Sequence, residues 1–191
     1  KDSINYKTEN RLMLEKDLRK AIGRDEFMLY YQPVINLSDY YSTGSEALLR
    51  WKHTTKGMVM PTEFIAIAEE TGMIIELGEW VIDQACKQCR LWREAGQPNY
   101  RIAVNVSALQ LKSNKLPKYV NDRLMHYSLP KDALEIEITE STFYGEDENS
   151  LRNLNALSEI GVRLLLDDFG TGYSSLSSLH GMPFDIIKID R

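Results

Sequence analysis

The sequence predicts an α/β fold, either an open parallel sheet or a TIM-like (β/α) barrel, with a first strand that is antiparallel to the rest. Two observations predict it. From residue 44 onward, short β-branched segments alternate with longer segments of helical periodicity, which is typical of parallel βα units. Each of these strands has one aliphatic face and one face that becomes polar toward its carboxyl end. The composition, 43% hydrophobic and 27% charged, is that of a globular chain with a sizeable core.

The chain opens with a charged, helix-favouring segment, and two strands follow it. Residues 1–23 are predicted to be a linker helix from an upstream domain, so that the main domain spans 24–191. The aromatic and β-branched segment 27–37 predicts a strand, and 44–51 predicts a second strand after a turn at 36–39. Because a short turn separates them, these two strands are expected to pair as an antiparallel hairpin.

Helices and strands then alternate to the end of the chain. Pro61 is a favourable helix start and Gly72 a favourable stop, and the next helix is predicted over 77–95, before Gly96. The remaining predicted elements are strand 101–107, helix 114–127, strand 134–140, helix 147–160, strand 163–169, a short helix at 174–180 and strand 185–190.

Strand alternation places the polar side chains of five strands on one common face. In a barrel this face points inward, and the carboxyl ends of the strands form the mouth of the active site. The residues on this face are Glu46, Leu48 and Arg50; Ala103, Asn105 and Ser107; Glu135, Glu137 and Thr139; Leu165 and Asp167; and Ile186, Lys188 and Asp190.

The polar groups at the strand ends are mostly oxygen ligands. Sets of this kind favour Mg²⁺ or Mn²⁺ over zinc, and adjacent aspartates suit two ions close together. None of the three histidines falls at a predicted strand end, which argues against a His-rich site. A single strand-end acid is more often a helix cap or a salt-bridge partner, so the repetition over five strands carries the metal hypothesis. The set comprises Glu46, Asn105, Glu137, Asp167 and Asp168, with Lys188 as the nearby cation.

Charge and cysteine content exclude several other classes. The net charge of −5, without a basic run, argues against a binder of nucleic-acid polymers or of membrane surfaces. Cys86 and Cys89 lie within a helical pattern, so they are predicted to pack in the core of a protein from a reducing compartment, the cytoplasm. No segment is apolar enough to span a bilayer, and no signal peptide is visible, which leaves membrane tethering of a parent protein open.

Six ordered motifs resemble the bacterial EAL domain, a family of phosphodiesterases that hydrolyse cyclic di-GMP to linear pGpG. The resemblance covers residues from about 24 to 191. The motifs are GSEALLRW (44–51), PTEFIAIAEETG (61–72), IAVNVS (102–107), LEIEITES (134–141), LLLDDFGTGYSSL (164–176) and IIKIDR (186–191).

The resemblance implies a role for each matching residue. It implies that two ions, Mg²⁺ or Mn²⁺, are held by Glu46, Asn105, Glu137, Asp167 and Asp168. It also implies that Glu46, Lys188 and Asp168 are catalytic, with Lys188 orienting the attacking water or a metal ligand. Glu140 would support the loop that follows Asp168. The substrate-binding set would be Gln32, Leu48, Arg50, Pro61 and Asp190. The family also implies a homodimer and an upstream GGDEF or sensor domain.

The family pattern continues beyond the last residue of this chain. We therefore expect the barrel to be incomplete at Arg191, and residues 1–191 alone to show little or no turnover. Two alternatives to an enzyme remain open, a receptor that binds cyclic di-GMP without cleaving it and a regulatory dimerisation module. Binding in EDTA without product formation in Mg²⁺ would favour the receptor.

Overall fold

A computed structural model of the chain describes residues 2–143, 148–170 and 181–190. The strands are β1 (Phe27–Ile35), β2 (Ser42–His53), β3 (Gly57–Val59), β4 (Arg101–Asn105), β5 (Leu134–Thr139), β6 (Arg163–Phe169) and β7 (Ile186–Ile189). The helices are α1 (Asp2–Ala21), α2 (Pro61–Glu70), α3 (Ile74–Glu94), α4 (Ala108–Leu111), α5 (Leu116–His126), α6 (Glu140–Phe143) and α7 (Glu148–Ile160), with short 3₁₀ turns at Ile22–Arg24 and Lys131–Ala133.

The seven strands form one sheet in the order β1-β2-β4-β5-β6-β7, with β3 added antiparallel to β2. As predicted, β1 is antiparallel to β2, whereas β2, β4, β5, β6 and β7 run parallel. Within the described residues the sheet stays open, since no ladder joins β7 to β1. Residues from all six strands of that path nevertheless line one cavity of about 290 Å³, so the sheet curves as a barrel wall does.

The aliphatic face of the sheet packs on the helices, as strand alternation predicts. Ile102, Val104, Ile136 and Leu164 are fully buried in this core, together with side chains from α3, α5 and α7. The two thiols belong to the same core and are free, which confirms the packing interpretation of the CKQC segment. No helix in the described ranges is both long and apolar enough to cross a bilayer.

The second half of α1 packs against the barrel wall. Leu14 and Leu18 are 3% exposed and belong to a second buried cluster with Trp51 and Phe64. The carboxylate of Asp17 lies 3.2 Å from Nε2 of His53. The expectation that no histidine ends a strand is wrong, because β2 continues two residues beyond Trp51. The contact of His53 with Asp17 nevertheless directs its imidazole to α1.

Several sequence-based boundaries differ from the structure, and one strand was missed. Ser107 does not continue the strand that ends at Asn105: its hydroxyl caps α4 by accepting a hydrogen bond from the Gln110 amide, and the Gln110 side chain returns the contact. This capping box satisfies amides at the helix start and therefore competes with strand continuation. The helix predicted from Leu77 starts at Ile74, and β3 was not predicted. The helix predicted at 174–180 lies outside the described residues.

Candidate active site

The carboxyl ends of four parallel strands bring three acids and a lysine together. Nζ of Lys188, on β7, lies 3.2 Å from Oε2 of Glu46 on β2, 2.9 Å from Oε1 of Glu137 on β5 and 3.2 Å from Oδ2 of Asp167 on β6. Residue 188 is separated from residue 46 by 142 positions, so only the fold joins them. We call Glu46, Glu137, Asp167 and Lys188 the acid cluster.

Asn105 joins the acid cluster through Glu46. The register of the sheet places Asn105 directly beside Glu137, and its Nδ2 donates a hydrogen bond of 2.8 Å to Oε1 of Glu46. The side chains that share one face of the predicted strands therefore also share one place in space. The structure brings together Glu46, Asn105, Glu137, Asp167 and Lys188, as strand alternation predicted.

Burial and mutual repulsion set the electrostatics of the acid cluster. Glu137 is 2% exposed, and desolvation by burial, followed by the charge of Glu46, raises its pKa to about 7. Its Oε2 finds no hydrogen-bond partner among the described residues. Burial by itself lowers the pKa of Lys188, but its hydrogen bond to Glu137 and the surrounding carboxylates outweigh that effect and raise the pKa above its ordinary value. Lys188 is therefore fully protonated at neutral pH.

A backbone irregularity explains how two adjacent aspartates can both lie near the mouth. The register between β6 and β7 shifts between Leu166 and Phe169, and Asp168 has a φ of +56° in the left-handed region. In a regular strand, Asp168 would point to the face opposite Asp167. Here the bulge redirects the side chain, which is exposed. Desolvation by burial and the charges of Asp167 and Asp190 raise the pKa of Asp168.

Glu140 lies directly behind the mouth. It begins α6 after β5, it is 1% exposed, and its Oε2 accepts a hydrogen bond of 2.9 Å from the amide of Gly170. Gly170 immediately precedes the segment 171–180, which lies outside the described residues. Glu140 is thus in contact with the start of the loop that the sequence analysis assigned to it.

The five predicted substrate-binding residues occupy different positions relative to the acid cluster. Gln32 lies opposite Glu46 across the β1–β2 ladder, and Leu48 and Arg50 follow Glu46 on the same face of β2. Pro61 is the first residue of α2, and Asp190 is exposed just after β7. The ladder places the first three beside the acid cluster. Within the described residues, neither Pro61 nor Asp190 forms a hydrogen bond or ion pair with it.

Sequence reasoning missed an aromatic partner of Arg50. The guanidinium carbon of Arg50 lies 5.5 Å from the centre of the Tyr30 ring, and one N–H donates to the carbonyl of Leu49 at 2.9 Å. Tyr30 is paired with Leu48 in the ladder and therefore shares its face. Strand alternation on β1, applied together with the hairpin register, would have found it.

The acid cluster has the chemistry of a site for hard cations. Three carboxylates face one ammonium, so negative charge remains in excess, and Oε2 of Glu137 is a buried oxygen with no hydrogen-bond donor among the described residues. In the described part of the chain, no three Asp, Glu, His or Cys side chains are close enough together to coordinate one metal ion. Nζ of Lys188 lies between the acids of the cluster. The all-oxygen donor set and the unpaired oxygen fit a divalent ion of the Mg²⁺ type.

A curved, mostly parallel α/β sheet with acids at the carboxyl ends of its strands defines a TIM-like fold with a polar active-site mouth. The chain belongs to the EAL domain family, whose model matches residues 15–191. That match begins within α1, near the first buried residue of the second core.

Two curated relatives come from Pseudomonas aeruginosa. The bifunctional diguanylate cyclase/cyclic di-GMP phosphodiesterase MucR is 44% identical over 189 residues, which are 99% of this chain and 28% of the relative. The cyclic di-GMP phosphodiesterase NbdA is 41% identical over 180 residues, which are 94% of this chain and 23% of the relative. The chain therefore spans only about a quarter of the length of these relatives.

Two solved structures superpose closely on the chain. A MucR phosphodiesterase in complex with c-di-GMP has a TM-score of 0.88 at 44% identity, covering 93% of this chain and 72% of that one. The EAL domain of Xanthomonas citri FimX in complex with c-di-GMP has a TM-score of 0.85 at 27% identity, covering 98% and 72%. The fold predicted from the sequence is thus confirmed.

Proposed function

We propose that this chain carries the active site of a metal-dependent phosphodiesterase that hydrolyses cyclic di-GMP to linear pGpG. The observation that carries the proposal is the convergence of Glu46, Glu137 and Asp167 on Lys188 in a member of the EAL family. Relatives at 44% and 41% identity are named cyclic di-GMP phosphodiesterases, which supports the same substrate here.

The proposed cofactor is a pair of divalent ions, Mg²⁺ or Mn²⁺. Glu46, Asn105, Glu137 and Asp167 would hold them, with Asp168 as a further ligand. An ion bound there supplies positive charge for the phosphodiester and lowers the pKa of water. The excess of carboxylates over cations in the acid cluster supports this assignment, because each buried carboxylate is costly without a compensating charge.

Lys188 is proposed to act as a fixed donor and not as a general base. Since the carboxylates raise its pKa, the ammonium keeps its protons at neutral pH. It can hold the attacking water or stabilise charge on a phosphoryl oxygen. In the reaction, water forms a new bond to phosphorus while the bond to the ribose 3′ oxygen breaks, and that oxygen leaves with a proton.

The substrate is proposed to lie across the carboxyl-terminal half of β2 and the part of the antiparallel strand β1 that pairs with it. Gln32, Leu48 and Arg50 form the side of this surface that adjoins Glu46, with Arg50 next to a phosphate, and Pro61 and Asp190 would line its edges. A cyclic dinucleotide carries two negative charges and the protein is acidic overall, so Arg50, Lys188 and the bound cations would supply the compensating charge.

The wider biology belongs to the same proposal. Glu140 would couple the mouth to the loop that follows Gly170, through the hydrogen bond to that amide. We expect a homodimer, an upstream GGDEF or sensor domain, and residues 1–23 as the linker helix to it. The two free, buried thiols are consistent with a reducing location such as the cytoplasm.

The decisive experiment is hydrolysis of cyclic di-GMP by the intact protein, with pGpG separated by liquid chromatography. Wild type should form pGpG in Mg²⁺ or Mn²⁺ and none in EDTA, and Glu46→Gln should lose at least about 100-fold in kcat. Glu159→Gln, on the exposed side of α7, is the matched control and should retain wild-type turnover.

Two results would contradict the proposal. If wild type binds cyclic di-GMP equally in EDTA and in Mg²⁺ but forms no product, the chain is a receptor. If Glu46→Gln retains the turnover of wild type, the assignment of the acid cluster to catalysis is wrong.

A further inference from the structure

Tyr30 is an exposed aromatic residue beside the acid cluster, and the proposed reaction gives it no role so far. Its residue is 51% exposed, although it lies in the middle of a nine-residue strand. The neighbouring aromatic, Tyr31, points to the other face of β1, where its ring packs edge-on against Trp92 at 4.8 Å. Tyr30 therefore belongs to the mouth and not to the core.

The register of the hairpin fixes the neighbours of Tyr30. It pairs directly with Leu48, while Gln32, the next residue on its face, pairs with Glu46. Directly opposite residues have their Cβ atoms about 5 Å apart, and diagonal neighbours about 7–8 Å. Tyr30 and Glu46 are thus diagonal neighbours on one face of the hairpin.

Arg50 holds a flat cation against this ring. The guanidinium carbon is 5.5 Å from the ring centre, and the hydrogen bond to the Leu49 carbonyl limits its rotation. The guanidinium thus lies over the ring, while the 51% exposure of Tyr30 leaves part of the aromatic surface open to a ligand. Purine bases bind to exposed aromatic rings by stacking.

We propose that Tyr30 is a specificity residue whose ring stacks on one guanine base of the bound dinucleotide, with Arg50 held in place beside it. This inference rests on the proposed function, since it concerns the substrate of the same site. Stacking of a base on an aromatic ring contributes enough affinity that its loss weakens binding by about five- to 100-fold. A pyrimidine has less surface to stack and depends less on the ring.

The experiment measures equilibrium binding of the linear products pGpG and pUpU to the intact protein in Mg²⁺ by calorimetry. Tyr30→Leu, which keeps apolar bulk without an aromatic plane, should raise the Kd for pGpG about tenfold and that for pUpU less than about twofold. Tyr30→Phe should bind both as wild type does. Tyr41→Leu is the matched control, because Tyr41 is 75% exposed at the opposite end of the hairpin.

Kinetics with cyclic di-GMP provide the second measurement. Tyr30→Leu should raise KM about tenfold and change kcat by less than about threefold. The inference is overturned if Tyr30→Leu binds pGpG as tightly as wild type, or if both dinucleotides weaken equally. If wild type neither binds pGpG nor cleaves cyclic di-GMP, the proposed function fails and this inference fails with it. If wild type cleaves cyclic di-GMP and Tyr30→Leu binds pGpG as tightly as wild type does, the inference is overturned but the proposed function stands.

Discussion

Replacing Glu137 by glutamine should stabilise the metal-free protein while removing its activity. The carboxyl group is 2% exposed, and burial raises its pKa from 4.5 to about 7. That difference corresponds to on the order of 3 kcal/mol of unfolding free energy when the group is ionised in the unfolded chain. Glu137→Gln also deprives Lys188 of a charged partner, which offsets part of this free energy. We therefore expect a net gain in unfolding free energy of about 1–3 kcal/mol.

The pH dependence of this gain follows from the direction of the pKa shift. Between pH 4.5 and 7 the folded protein binds more protons at Glu137 than the unfolded chain does, so wild-type stability falls as pH rises through this range. Glutamine does not titrate. The advantage of Glu137→Gln should therefore be small at pH 5 and complete above pH 7.

Urea denaturation in EDTA at pH 5 and pH 8, followed by tryptophan fluorescence, measures this gain. Glu159→Gln is the control, since Glu159 is exposed on α7 and its substitution should change stability by less than about 0.5 kcal/mol at either pH. Excess Mg²⁺ should stabilise wild type more than Glu137→Gln, because binding to the folded state alone adds stability. Equal unfolding free energies of wild type and variant at pH 8 in EDTA, or equal gains at pH 5 and pH 8, would refute the reasoning.

The core thiols and a glycine contact give two further predictions. Burial raises the pKa of Cys86 to about 12 and that of Cys89 to about 11. Iodoacetamide at pH 8 should therefore alkylate neither thiol until urea unfolds the protein, and labelling in the folded state would contradict this. Gly78→Ala would place a Cβ 1.8 Å from Nε2 of Gln110 and break the capping box, so it should lower the unfolding free energy by about 1–3 kcal/mol in urea denaturation. Gly23→Ala is the control, because a Cβ there meets nothing within 4 Å, and an equal loss in both variants would contradict the packing argument.

Local periodicity accounts for the parts of the site that sequence reasoning predicted. In a strand, side chains alternate between two faces, so the positions of Glu46, Glu137, Asp167 and Lys188 within their strands were sufficient to assign each to the inner face. Parallel pairing then places all carboxyl ends at one edge of the sheet. Neither step needs a contact between distant residues.

A local helix cap and a tertiary contact decided two features that sequence reasoning missed. Ser107 follows a strand pattern locally, but the hydrogen bonds with Gln110 turn it into a helix cap. The burial of Leu14 in the second core shows that α1 packs on the barrel wall, which its charged sequence does not reveal. At Ser107 a local hydrogen bond between side chain and backbone outweighs the strand pattern, whereas at Leu14 a tertiary contact does.

The amino-acid sequence by itself determined the alternation of strands and helices, the hairpin at the start, and the inner face that carries the acids. The reason is that alternation, turn residues and helix stops act over a few residues. Only the tertiary structure decided that Lys188 lies among three carboxylates and that the register between β6 and β7 shifts beside Asp168. These depend on the register between strands up to 142 residues apart, and register is set by packing of the whole sheet.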